Sequence, residues 1–396
     1  MKRRDFLKSA SLASTAMFLP KFVSGFNLID SAVATGKKLV IIQLSGGNDG
    51  LNTVVPFRND IYHKNRLSLA QKKTNLIGIT DEIGFHESLI THSNLYNNGE
   101  LCVVNNVGYP NPNRSHFRST DIWHTASDAS EYLQSGWVGR YLDVTKGKSL
   151  NAIEVDDSLS LLLKGEHTDG IAMTDPKLFF RTTHDPYFKK VVQHHDDAHL
   201  SEHNLGYLYK TMVTASSSAK YIYETSKTFT TKTSYPKNKF SKQLKQVAQF
   251  INSGLQTQVY YASLGGFDTH VNQLNKQKRL LKIYDEAMAA FIKDLKEQDS
   301  FKDTLILTFS EFGRRVQQNA ANGTDHGTAN QVFLIGNQLK KQGFYNPMAD
   351  LSNLDSNGDL IYDIDFREIY TSVLNNWLEV DAKKIIGKPF FGLDIV

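Results

Sequence analysis

Two short apolar runs, Leu305–Phe309 and Gln331–Ile335, bracket the stretch around which the chain is organised. Both are bounded by turn-forming residues and read as buried strands of a parallel sheet. Lys38–Leu44 (KLVIIQL) and Glu100–Val107 (ELCVVNNV) have the same character. The unbroken apolar run in Lys38–Leu44 predicts burial on both faces. Gln256–Ala262 (QTQVYYA) adds a strand by its β-branched and aromatic content. Elsewhere the period lengthens to that of helices. Phe240–Ile251 is helical by spacing, and Gln273–Gln298 turns Leu280, Leu281, Tyr284, Ala287, Met288, Phe291 and Leu295 to one side. Asp363–Leu378 (DIDFREIYTSVLNNWL) reads as a helix capped by Asp365, with Tyr370, Val373, Leu374 and Trp377 packing inward. Arg367 in its first turn is expected to pair with a carboxylate. Strands alternating with helices predict one α/β domain.

The remaining stretches say less about function. Residues 136–238 read as an insertion, with a short helix at Trp137–Val144, a strand at Ser149–Val155 and helical stretches within His199–Glu224. His184, His194, His195, His199 and His203 lie among Asp, Lys and Gln, which points to a solvated surface rather than a site. Residues 1–34 stand outside the fold. Lys2-Arg3-Arg4 with its basic surroundings, an apolar stretch to Leu19 and Ala32-Val33-Ala34 come in the order of a twin-arginine signal peptide with its cleavage site. The apolar part is too short to span a bilayer, so no stable membrane anchor is expected. The mature protein is then periplasmic or extracellular.

Charge narrows the partners. Of the formal net charge of +4, the leader holds five basic and two acidic residues, leaving the rest near neutral. This gives no electrostatic reason for nucleic acid or an anionic membrane as partner. Cys102 is the only cysteine, so no intrachain disulfide forms; within Leu101–Val104 it reads as a core residue.

The chemistry-bearing residues cluster at strand ends, where open α/β sheets gather ligands. The first strand runs into Ser45-Gly46-Gly47-Asn48-Asp49-Gly50. The spacing differs from G-x-G-x-x-G, and an Asp there would repel a pyrophosphate, so Asp49 reads as a metal carboxylate. Gln256–Ala262 delivers Gly265-Gly266-Phe267-Asp268-Thr269-His270, with Asp268 and His270 two apart, on one side of an extended segment. Leu305–Phe309 is followed by Glu311, and the next loop carries Asp325 and His326. These are residue types a divalent ion takes, Zn or Mg, Mn or Ca, in one or two copies. After Glu100–Val107, Asn113 reads as the cap of a helix that continues through Thr125 and sets Ser115 in its first turn. There Ser115 is either a nucleophile, with Arg114 or Arg118 to hold an oxyanion, or simply part of the cap. His116, about 100° round the helix from Ser115, is a poor candidate for its base.

The phrases GGNDGLN, YPNPNRSHF, GGFDTH, SEFGR, GTDHG and DFREIY, spread over the mature chain, resemble the twin-arginine-exported "domain of unknown function 1501" family of the alkaline-phosphatase-like superfamily. The resemblance implies a three-layer α/β/α sandwich with a mostly parallel central sheet, and a metal-dependent hydrolase or transferase acting on small-molecule or polymer phosphate or sulfate esters. It implies a pair of ions with a Ser nucleophile between them. Asp49, Ser115 and Glu311 would face one ion and Asp268, His270 and His326 the other, with Asp325 on either. Two departures stand out: Phe312 occupies a position where alkaline phosphatases have a His ligand, and Asp268 and His270 lie closer together in sequence than the corresponding acid and His of those enzymes. The alternative is a secreted, non-catalytic binding protein that retains one ion. A formylglycine sulfatase is disfavoured, because Cys102 lies inside a strand and lacks the Cys-x-Pro-x-Arg setting.

Overall fold

The structure is a computed structural model that describes residues 36–193 and 204–396. The leader, His194, His195, His199 and His203 therefore lie outside the described residues. Among the described residues twelve strands are numbered in chain order: β1 Lys38–Ser45, β2 Val54–Val55, β3 Leu76–Gly78, β4 Gly84–His86, β5 Leu101–Gly108, β6 Ala152–Glu154, β7 Ile171–Ala172, β8 Val259–Gly265, β9 Thr304–Phe309, β10 Asn330–Ile335, β11 Gly343–Phe344 and β12 Ile364–Asp365. Nine of them form one sheet in the order β11-β5-β10-β9-β1-β8-β6-β7, with β12 also on β5. The other three make a small antiparallel sheet, β2-β4-β3.

β1 is central, parallel to β8 on one side and to β9 on the other. Its alternate residues go to opposite faces, as a strand's period of two requires. Val40, Ile42 and Leu44 join one apolar core with Phe291, Leu281 and Val247 of the helices Gln273–Glu297 and Lys239–Asn252. Leu39 and Ile41 join the other with Trp123, Trp137 and Leu374. Helices thus cover both faces, and the molecule is a three-layer α/β/α sandwich with a mostly parallel sheet.

Two expectations from the pattern change in the structure. The 331–335 run is antiparallel to both β9 and β5 rather than parallel. The link from β9 contains no helix long enough to carry the chain back along the sheet, so it folds over the edge and returns in the opposite sense. The 256–262 strand starts at Val259, because that is where its pairing with Leu39 of β1 and Ala152 of β6 begins.

The C-terminal helix is capped by Asp365, which accepts from Arg367 N. It runs over Phe366–Ser372 and continues as a π turn over Val373–Trp377, with Tyr370, Val373, Leu374 and Trp377 buried. Arg367 pairs with Asp365 and Asp128. Cys102 is free and buried. Among the described residues no helix is long and apolar enough to cross a membrane.

This topology brings the carboxyl ends of β1, β5, β8 and β9 and the amino end of β10 to one edge of the sheet. Below that edge the Trp123 ring stacks between Phe309, at 4.8 Å, and Phe366, at 4.3 Å. Trp123→Ala is expected to lower unfolding free energy by about 3–5 kcal/mol, the cost of emptying a large buried aromatic site. Equilibrium urea denaturation measures it.

Candidate metal centre

The loops at this edge are drawn together by one buried guanidinium. Arg314 is fully buried. Its Nε donates to Gly47 O at 2.7 Å, Nη1 to Thr324 O at 2.9 Å, and Nη2 to Phe267 O at 3.0 Å and to Gly46 O. Nη2 also donates to Asp268 Oδ1 at 2.8 Å. The β1, β8 and β10 loops therefore meet on one side chain. Gly46 and Gly47 allow the approach, at φ +116° and +72°. A Cβ on Gly46 would stand 2.4 Å from Asp268 N, and one on Gly47 2.3 Å from the Phe312 ring.

Above Arg314 sit three polar groups whose ring nitrogens and carboxylate oxygen converge. His326 Nδ1 is 2.7 Å from Arg114 O; a carbonyl only accepts, so Nδ1 carries the proton. His270 Nδ1 is 3.0 Å from Asp325 Oδ1. Asp325 is held ionised below the usual range by the Asn319 amide, with burial opposing and the His270 bond assisting, so His270 also carries its proton on Nδ1. Each ring then turns Nε2 inward. These two nitrogens are 2.9 Å apart, and they lie 3.0 Å (His270) and 3.1 Å (His326) from Asp268 Oδ1. Atoms at such distances share a proton or a metal ion between them. Donors around a tetrahedral ion with bonds of 2.0–2.1 Å lie about 3.3 Å apart, so a small compression separates this set from a ligand set. Anchoring of the second ring nitrogen by a carboxylate or a carbonyl is the outer support that metal-ligating histidines have.

His116 completes the cluster. Its Nδ1 is 3.0 Å from Glu311 Oε1, and its Nε2 is 3.5 Å from Asp268 Oδ1. His116, Asp268 and His326 form a group whose ligand atoms lie within 4.8 Å of one another. The Glu311 hydrogen bond raises the His116 pKa, against burial. Burial lowers that of His326, against its bonds to Asp268 and Arg114. Phe312 lies under both rings, 4.9 Å from His116 and 4.8 Å from His326.

The other residues picked out from the sequence have different company. Asp49 is buried away from the histidines; its Oδ2 accepts from Arg66 Nη1 at 2.5 Å and from Gln273. Glu311 is buried, with Oε1 accepting from Gly46 N at 2.7 Å and Oε2 from Gln43 at 3.1 Å, so it supports His116 from behind. Arg114 gives its guanidinium to Asp359 and lies 3.8 Å from Asp355, while its carbonyl holds His326. Ser115 is exposed and is itself the N-cap of the helix His116–Thr125, with no side-chain capping bond. Asn113, expected to be the cap, instead accepts from Ser115 N at 2.8 Å. The helix begins two residues later than expected, so the 100° argument against His116 does not apply. In the sequence His116 stands out only as a neighbour of Ser115; its place beside Asp268 and Glu311 comes from distant segments.

Over residues 36–359 the sequence matches the family described as "Protein of unknown function (DUF1501)". The chain belongs to this family. No curated protein matches it. Solved structures similar to this DUF1501 chain include the lipoteichoic acid synthase LtaP from Listeria monocytogenes, at 11% identity, covering 82% of this chain and 71% of that one with a TM-score of 0.37. The C-terminal periplasmic domain of EcEptC from Escherichia coli, in complex with Zn, is 12% identical over 76% and 73%, with a TM-score of 0.39. The PsFucS1 sulfatase from Pseudoalteromonas sp. is 10% identical over 90% and 70%, with a TM-score of 0.37. Likeness this distant carries no argument about the DUF1501 centre, which rests on its own geometry.

Acid pH tests the electrostatics of that centre. Burial works against ionised Asp268, but the bonds and charges of Arg314, His326 and His270 prevail and bring its carboxyl from 3.8 to about 2. A depressed folded-state pKa contributes stability that is fully present above about pH 4 and is lost as pH falls through about 2. Acid unfolding of metal-free protein, followed by circular dichroism, is expected to show this component, and Asp268→Asn to remove it.

Proposed function

We propose that this protein is an exported, metal-dependent hydrolase or transferase of phosphate or sulfate esters, with its ion held by Asp268, His270 and His326. One observation carries the reading: two imidazole Nε2 atoms 2.9 Å apart and a carboxylate oxygen converge, while each ring's Nδ1 is already committed. Two histidines and a carboxylate are the ligand set of catalytic zinc sites that keep a position open for water or substrate. A divalent ion bound there supplies Lewis acidity and lowers the pKa of an oxygen nucleophile. The ester class comes from the motif resemblance, and export from the order of basic head, apolar stretch and small-residue triplet in the leader.

The chain's own groups have distinct parts in this reading. The Ser115 hydroxyl, uncommitted to capping and at the start of a ten-residue helix, is the candidate nucleophile; the helix N-terminus favours an anion beside it. His116, fixed by Glu311, turns Nε2 toward Asp268 and lines the reacting side. Arg114 positions His326 through its carbonyl, and its guanidinium balances Asp359 rather than standing free for an oxyanion. A second reading, a secreted binding protein that keeps one ion, is favoured by Phe312 and by the pairing of Asp49 with Arg66.

Three substitutions separate these possibilities. His326→Ala is expected to abolish bound metal and, with it, turnover of an aryl phosphate or sulfate. Asp325→Ala, which removes the support of His270, should weaken metal affinity about 10- to 100-fold. Ser115→Ala should keep the ion and lose turnover. Equal turnover in Ser115→Ala would eliminate that hydroxyl as nucleophile. No turnover of phosphate monoesters, phosphate diesters or sulfates by the wild type would favour the binding protein.

A further inference from the structure

We infer that the centre is mononuclear: the second metal position implied by the motif resemblance has been replaced by protein hydrogen-bond donors. The inference rests on the proposed ion at Asp268, His270 and His326 and concerns the residues that would face its partner. Asp49 and Glu311 are the carboxylates in question, and each is already engaged.

Asp49 faces a cation that cannot leave. Arg66 is fully buried and, besides its bond to Asp49, donates from Nε to Val316 O at 2.9 Å. Its Nη1 also reaches Asn52 Oδ1 at 3.0 Å, and its Nη2 reaches Arg315 O at 2.8 Å. With its donors held from several sides, the guanidinium has no route to withdraw, and a dication beside it would meet like charge in a poorly screened interior. Asp49 Oδ1 has no partner. Yet among the described residues Asp49 belongs to no group of three potential ligands within 4.8 Å. One oxygen alone does not make a site.

Glu311 has both oxygens in use, and the bonds are directed by a chain behind it. Oε1 accepts from Gly46 N and His116 Nδ1, and Oε2 from Gln43 Nε2. Gln43 is buried, and its Oε1 accepts the Tyr261 hydroxyl at 2.6 Å and lies 3.2 Å from His124 Nε2. That acceptance orients the amide, so its NH₂ points at Glu311, with Thr120 Oγ1 as a longer second acceptor at 3.4 Å. Phe312, packed on His116 and His326, fills the remaining side with carbon. Where a second ion would need two carboxylates and a histidine, the chain offers an ion-paired Asp49, a saturated Glu311 and a phenyl ring.

Metal counting tests this directly. Chelator-stripped protein is loaded with excess Zn(II), freed of unbound ion by gel filtration, and analysed by plasma mass spectrometry against protein concentration. One ion per chain is expected in the wild type and also in Glu311→Gln, whose amide still accepts from His116. Less than a tenth of an ion is expected in a double variant, Asp268→Asn with His326→Ala, with circular dichroism confirming that each protein is folded. Two ions in the wild type would overturn the inference while leaving the Asp268–His270–His326 ion standing. Loss of the ion in folded Glu311→Gln would also overturn the inference, because the single ion would then depend on Glu311. No ion in the loaded wild type would overturn both.

Discussion

The centre depends on a buried positive charge. Arg314 is surrounded by carbonyls from three loops, and its one carboxylate partner, Asp268, is half exposed. Burying a guanidinium is costly unless its donors are met and its charge is balanced. Here both conditions hold only when the β1, β8 and β10 loops close on it together. The geometry above it follows: Asp268 is pinned through Oδ1, and His270 and His326 stand at either side of that oxygen. A change at Arg314 would thus move all three loops, not one contact.

Proton placement then gives the centre its chemical direction. Each of three imidazoles has its Nδ1 on a fixed acceptor: Glu311 for His116, Asp325 for His270 and the Arg114 carbonyl for His326. The acceptors come from different elements, so no single loop sets all three ring orientations. The Nε2 atoms of His270 and His326 are left to face inward beside Asp268 Oδ1. The same logic separates Asp268 from Asp49. Both are carboxylates after a Gly-Gly turn at the end of a parallel strand, but Asp49 meets Arg66 and Gln273 while Asp268 opens to solvent beside two histidines.

Much was legible in the sequence, for physical reasons that can be named. KLVIIQL could only be a strand covered on both faces, since seven residues without a polar face have no place at a surface, and Val40 and Ile41 do enter opposite cores. The long 3.6-residue stripe from Leu280 to Leu295 could only pack one side of a helix against the sheet. Gly-Gly turns followed by Asp and His announced which loops approach one another. The chain alone thus determined its elements, their layering and the edge where reactive residues collect, because these follow from local periodicity and the geometry of connections.

What each reactive residue does there was decided only by tertiary contacts. Nothing near Asp49 in sequence announces that Arg66 will reach it, or near Glu311 that Gln43 and His116 will divide its oxygens. The direction of β10 was likewise settled by a helix-free link, and the start of the helix after β5 by whether Asn113 or Ser115 took the capping geometry. A carboxylate becomes a ligand, an ion-pair partner or a support according to which donors arrive from distant segments. Those arrivals depend on the three-dimensional course of the loops, which local patterning does not contain.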